Sequence, residues 1–366
     1  MIFVTTNDLK KGMRLAKPVY NKNGVLLYGR DTKLTEQGIV SIKNFSLIGI
    51  YVLEPAEPLP PMSEDDIEFE RFQTMAVFSI KDDMKALLAR KVPPNLNRLT
   101  DMIINNYGGG DKKISFTQNL RSPSDYVYKH SLNVAILAAL ISGQIKESLE
   151  EQREIVIAAL LHDIGKLTIH DTIACKDEPD EEEQEIIKRG IMDGYSLLEY
   201  SEITPQAKRM ITQFQREVYD LNGTAAEETD RNISLATSIL MIADEYDKLT
   251  AMKIDESPMS EIAVLKRLMA DETYSDRLVN ALTDSINIVV PGVCLELTNG
   301  EKGLVIRENQ ENLLQPVVLG FDKNIVYDLE KTGDAVQIKD IMKTMDNRII
   351  IDKERLEEYS NKPIHS

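Results

Sequence analysis

The sequence predicts a mainly α protein, a helical bundle flanked by small N-terminal and C-terminal β-rich units. Three observations carry that expectation. From about Asp66 to Thr283, apolar residues recur at helical spacing and strand signals are scarce. Outside that stretch the pattern turns to period two, with Asn23-Gly24 and Asn299-Gly300 each standing between apolar runs. The segment EPAEPLPPMSEDD, rich in proline and acid, separates the first unit from the helices because it can neither continue a helix nor pair in a sheet centre.

On these signals the chain divides into a β-rich unit at 1–57, a linker at 58–65, a helical domain at 66–284, an antiparallel β unit at 285–338 and a charged tail at 339–366, read as a terminal helix. In the first unit, PVYNKNGVLLY reads as a hairpin. TEQGIVSIKNF reads as a short amphipathic helix with Ile39, Ile42 and Phe45 on one face, and GIYVLEP as a closing strand. In the helical domain, SDYVYKHSLNVAILAALISGQI puts His130, Val134, Leu137 and Ile141 on one stripe. EEQREIVIAALLHDIGK gives a second apolar helix, expected to stop at Gly165. EEEQEIIKRGIMDGYSLLEY, PQAKRMITQFQREVYD and the very apolar ISLATSILMIADEYDKLTAM give further helices. The acidic run from Asp177 to Glu185 reads as a solvated loop entering a helix, where negative charge suits the N-terminus. In the last unit, Leu295 and Leu297 before the Asn-Gly turn and Leu304 and Ile306 after it give the alternation, extended by QPVVLGF and NIVYDL.

Composition narrows the function. At 366 residues the chain exceeds one ordinary core, and a hydrophobic share of 42% argues against general disorder. There is no apolar run of membrane-spanning length and no signal-peptide pattern at MIFVTTNDLKKGM. The two cysteines, Cys175 and Cys294, stand far apart, which fits a reducing compartment, and the expectation is a cytoplasmic protein without a membrane partner. The net charge of -17, with no basic concentration and no Trp, argues against polymeric nucleic acid as a partner. A small anionic ligand stays compatible, because a metal and a few local cations reverse the field inside a cleft. A homodimer is left open.

Chemistry concentrates in AALLHDIGK, where an apolar helix runs up to His162 and Asp163 and Lys166 stands just beyond, its point charge within reach of a phosphate oxygen. An HD dipeptide at a helix end is also a common hydrogen-bonded or capping pair. His130 points inward on its stripe, as a metal ligand or as a satisfied core histidine. Asp244 sits one turn after Leu240, either buried and paired with a cation or at the solvated end of its helix. Mixed His and Asp donors suit Mn, Fe, Mg, Ni or Zn and do not choose among them.

The order His, then His-Asp, then Asp, each on a mostly buried helix, resembles the HD superfamily of metal-dependent phosphohydrolases. More narrowly it resembles the HD-GYP cyclic di-GMP phosphodiesterases. YVYKHSLNVAILAALI, AALLHDIGKLTI, EIIKRGIMDGYSLLE and ISLATSILMIADEYDKLTA carry the resemblance over about Tyr126 to Ala251. It implies an HD-type bundle, with a divalent ion held by His130, His162, Asp163 and Asp244. Asp163 and Lys166 would serve catalysis, and the ligand would be a small phosphorylated molecule such as a cyclic dinucleotide.

The resemblance also implies a second metal position, and there the sequence departs from it. Gly190 stands where the family carries a histidine, and Gln215 and Arg216 replace a histidine pair. Glu217, Tyr219, Asp220 and Gly223 still fit, while Thr224-Ala225 replace the Tyr-Pro of the subfamily name. Histidine supply agrees, since the chain has four, His130, His162, His170 and His365, and His170 reads as a surface residue. Arg216 puts a permanent cation where a second-site ligand would be, either binding phosphate bidentately or lying on a helix surface. Lys188 and Arg189 read as solvated. The expectation is one metal, and two readings compete: a one-metal phosphohydrolase, and a catalytically impaired sensor or scaffold in nucleotide signalling.

Overall fold

The computed structural model describes residues 2–21, 24–44, 49–52, 64–116, 118, 121–176, 178–219, 221, 233–252, 258–309, 312–322 and 324–342. Asn23, Phe45, Asp177, Asp220, Gly223, Thr224, Ala225, His365, most of the expected linker and the tail beyond 342 lie outside them. In the first unit, β1 (Ile2–Thr5) pairs antiparallel with β4 (Gly49–Val52) and β2 (Val19–Tyr20) with β3 (Leu26–Tyr28), and α1 (Glu36–Asn44) precedes β4. Leu15, Leu34, Ile42 and Val52 are buried together in a small core of the unit's own.

The helical region contains α2 (Glu64–Leu88), α3 (Leu96–Tyr107), α4 (Tyr126–Gln144), α5 (Leu149–Leu161), α6 (Asp171–Ala174), α7 (Glu181–Leu197), α8 (Pro205–Tyr219), α9 (Leu235–Thr250), α10 (Glu261–Ala270) and α11 (Asp276–Ser285). Local chemistry sets where several of these begin. The side chains of Ser148 and Ser234 accept the N–H groups of Glu151 and Thr237 ahead of α5 and α9, and Asp180 with Glu183 forms a capping box ahead of α7. The acidic run is thus an entry into a helix, as expected.

Helix α4 is the axis, packed against α2, α3, α5, α9 and α11. Every residue from His130 to Gly143 is buried. The expected single stripe is therefore too narrow a description, because a helix apolar all round has no solvent face. Gly165 does not end α5 either. The helix stops at Leu161, and Gly165 lies inside a 3₁₀ turn, Ile164–Thr168. Its smallness serves packing. A Cβ there would lie 2.4 Å from the carbonyl oxygen of Gly190, and one on Gly194 would lie 2.3 Å from the Gly165 Cα. Backbone meets backbone where α7 crosses this turn.

After α11 comes an antiparallel sheet of β5 (Cys294–Leu297), β6 (Lys302–Arg307), β7 (Val317–Gly320), β8 (Val326–Asp328) and β9 (Ile338–Ile341), in the order β8-β7-β6-β5-β9. The expected hairpin at Asn299-Gly300 is present. Its turn is a three-residue loop, closed by Leu297 N–H to the Glu301 carbonyl (2.8 Å) and Gly300 N–H to the Leu297 carbonyl (2.9 Å). Gly300 takes a φ of 83°, and Asn299 is not among the positive-φ residues. Leu304 is half-buried opposite Cys294, and Val305 instead joins Leu295 and Leu297 in the core. Lys339 to Ile341, expected to open the tail helix, belong to β9. Leu295, Leu297, Val305, Val318 and Ile338 share one hydrophobic cluster with the bundle, and the Lys266 ammonium on α10 donates to the Ile338 carbonyl at 2.6 Å. Among the described residues, no helix is long and apolar enough to cross a membrane.

Candidate metal centre

Three helices bring the centre together. The axial helix α4 supplies His130, the end of α5 supplies His162 and Asp163, and α9 supplies Asp244 and, one turn on, Asp247. His130, His162 and Asp163 are fully buried, and Asp244 is 2% exposed. Among the described residues, His130, His162 and Asp163 form a group whose donor atoms lie mutually within 4.8 Å and can hold a metal ion. Asp244 falls outside that mutual group but touches both rings. Its Oδ1 is 3.0 Å from His130 Nε2 and 3.4 Å from His162 Nε2. The two Nε2 atoms are 3.3 Å apart, and Asp163 Oδ2 lies 3.5 and 3.7 Å from them.

The outer hydrogen bonds decide what these atoms present. His162 Nδ1 is 2.7 Å from the Ala159 carbonyl oxygen, which only accepts, so Nδ1 carries the proton. His130 Nδ1 likewise donates to Asp247 Oδ2 at 2.7 Å. In the neutral rings both Nε2 atoms then present lone pairs inward, toward carboxylate oxygens that are also acceptors. Asp163 Oδ2 is paired with Lys166 Nζ at 2.8 Å, and toward the two Nε2 atoms it meets lone pairs rather than donors. A divalent ion with bonds of about 2.0–2.2 Å fits donors spaced about 3 Å apart. Convergent lone pairs on buried nitrogen and oxygen donors at this spacing fit a metal.

A polar frame holds the rings. Arg121, fully buried, donates to both oxygens of Asp247 at 2.6 and 2.7 Å, and Gln118 and Asn133 each donate to Asp247 Oδ1 at 3.0 Å. Burial alone would push the Asp247 carboxyl up, but Arg121 and His130 hold it below the ordinary carboxylate range. Burial acts on Asp163 the same way and is outweighed by its neighbours, Lys166 foremost; at Asp244 the decisive neighbour is Lys248, 2.7 Å from Oδ2. The Tyr219 hydroxyl donates to Asp163 Oδ1 at 2.6 Å. Burial first, and then the charges of Asp163 and Asp244, raise its pKa well above the phenol value, so it stays a donor.

The residues expected at a second metal position are used otherwise. Gly190 is closely packed, and a Cβ there would meet Ile169 Cγ2 at 2.7 Å and the Gly165 carbonyl oxygen at 3.1 Å. Gln215 is buried and donates to the His162 carbonyl at 2.8 Å. The Arg216 guanidinium is buried rather than on a helix surface, and it pairs with Glu217 at 2.9 Å. Lys188 pairs with Glu185 on the outside of α7, Arg189 is exposed, and His170 is exposed at the N-cap of α6.

Sequence reasoning missed Asp247, Arg121 and Lys248. Asp247 had a signal, since it stands three residues after Asp244 and therefore on the same face of an apolar helix. Asp244 and Asp247 are both buried, so the end of α9 is not a solvated one.

Residues 127–249, which carry the His, His-Asp and Asp gathered at the bundle axis, match the HD domain family. The chain is similar over part of its length to cyclic di-GMP phosphodiesterases. It is 24% identical over 204 residues to a cyclic di-GMP phosphodiesterase of Pseudomonas aeruginosa, covering 55% of this chain and 49% of that protein. It is 32% identical over 150 residues to a cyclic di-GMP phosphodiesterase response regulator of Xanthomonas campestris, covering 40% of each. A cyclic di-GMP phosphodiesterase of Borreliella burgdorferi is 26% identical over 204 residues, covering 55% and 54%. The match thus spans about half the length of these relatives. An HDGYP protein from Bdellovibrio bacteriovorus superposes with a TM-score of 0.44 at 14% identity, covering 77% of this chain and 98% of that one.

Proposed function

We propose that this protein is a metal-dependent phosphohydrolase acting on a small phosphate ester, with a cyclic dinucleotide such as cyclic di-GMP as the substrate class. One divalent ion is held by His130, His162, Asp163 and Asp244. The observation that carries the reading is the convergence of two unprotonated Nε2 atoms with the buried Oδ2 of Asp163. The named activity of the similar proteins supports the substrate class.

When bound, the ion supplies a water of lowered pKa and neutralises charge on the phosphoryl oxygens. The protein residues have separate tasks. Asp247 and the Ala159 carbonyl keep the imidazoles in the tautomer that binds a cation. Tyr219 fixes the Asp163 carboxylate. Lys166, its ammonium beside Asp163, takes a phosphate oxygen, and Arg216 turns from Glu217 to a second one.

The second reading, a sensor or scaffold that binds its ligand without turnover, is favoured by the depth of the centre, where His130, His162 and Asp163 have no exposed surface. One pair of measurements separates the two. Elemental analysis of protein purified without chelator is expected to give about one ion per chain, and two ions or none would refute the single-ion centre. With Mn or Fe supplied, hydrolysis of cyclic di-GMP or of a phosphomonoester should occur and should vanish in Asp163→Ala. Ligand binding without turnover selects the sensor reading.

A further inference from the structure

We propose that Lys248 sets the charge of this centre, acting as a built-in counter-ion that keeps metal uptake weak and reversible. The proposal rests on the reading of the centre as a metal site. Each buried carboxylate around it has its own cation: Arg121 with Asp247 at 2.6 Å, Lys166 with Asp163 at 2.8 Å and Lys248 with Asp244 at 2.7 Å. With neutral imidazoles the cluster is balanced before any metal arrives. A divalent ion then adds its charge to a neutral, buried site, beside ammonium groups that repel it.

The three cations are not equivalent. Arg121 acts on the frame behind His130, and Lys166 sits on the turn that carries Asp163, whereas Lys248 reaches back along α9 to the far oxygen of Asp244. Its side chain is 21% exposed, the most accessible of the three, and it lies with Lys166 against the Tyr219 ring, at 5.8 and 5.4 Å from the centroid. It is therefore the cation that can swing away when an ion takes over Asp244. Asp244 is also the proposed ligand that stands outside the mutually close donor group.

The test is titration of metal-stripped protein with Mn²⁺, followed by calorimetry and by thermal melting. Replacing Lys248 with Met removes a positive charge beside the ion and leaves Asp244 uncompensated, so Mn²⁺ should bind at least ~10-fold more tightly than to the wild type, a lower bound for the repulsion of one charge a few ångströms away. Apo Lys248→Met should melt below the apo wild type, with saturating Mn²⁺ raising its melting temperature by more. Lys248→Arg should restore wild-type affinity. Loss of a merely structural ion pair predicts the opposite sign, so equal or weaker Mn²⁺ binding by Lys248→Met overturns the proposal. If that variant folds only with metal, it is purified with Mn²⁺ and its loss of the ion to a chelator is timed. Slower loss than the wild type supports the proposal, and equal or faster loss sinks it. Failure of the wild type to bind any Mn²⁺ would instead remove the metal reading itself.

Discussion

His130 acquires its orientation from the residues behind its ring. Arg121 fixes Asp247 through both oxygens, Asp247 accepts the hydrogen bond from Nδ1–H, and Nε2 is left facing Asp244 and His162. Asp247→Asn keeps the shape of the side chain and removes the charge. It is expected to weaken Mn²⁺ binding by about 10–100-fold, the usual effect of losing a carboxylate behind a ligating histidine. Calorimetry of the folded variant checks this, and unchanged affinity would mean that Asp247 only fills space. His162-Asp163 was legible in the sequence because both chemical groups and the apolar helix beneath them are adjacent in the chain. Arg121 was not, because 126 residues separate it from Asp247 and it lies outside any periodic segment.

Among the elements, the α7 seam fixes the turn that follows His162-Asp163. Gly165 and Gly194 let α7 lie directly on the turn that follows His162-Asp163. Reading Gly165 as a helix stop hid this packing role. A glycine's role in close packing is set by a partner backbone more than twenty residues away, and spacing along one segment does not report that. Gly194→Ala places a Cβ 2.3 Å from the Gly165 Cα, where only backbone movement gives relief. The expected cost is about 1–3 kcal/mol. It should appear as a lower denaturation midpoint together with weaker Mn²⁺ binding, since the displaced turn carries Lys166 and adjoins Asp163. A variant as stable as the wild type would show that the seam is looser than described.

For the whole molecule, the two flanking β units differ in what they contribute, a distinction that alternation in the sequence could not draw. Period-two patterns identified both units, but they do not say which core the inward residues join. The N-terminal unit buries Leu15, Leu34, Ile42 and Val52 among themselves and meets the bundle through polar and small contacts. These include Lys17 with Glu70 at 3.2 Å and the Tyr51 hydroxyl on Met252 Sδ at 3.2 Å. The C-terminal sheet instead gives Leu295, Leu297, Val305, Val318 and Ile338 to the core of the bundle, each no more than 1% exposed. Removing a buried aliphatic side chain costs about 2–5 kcal/mol, and a domain has only about 5–15 kcal/mol in total. Deletion of residues 1–63 should therefore leave a bundle that melts cooperatively and still binds Mn²⁺, whereas deletion of residues 287–366 should abolish cooperative melting. Circular dichroism on the two truncated chains distinguishes the units. A folded, metal-binding protein lacking the C-terminal sheet would show that the shared cluster is a contact between independent domains and not a single core.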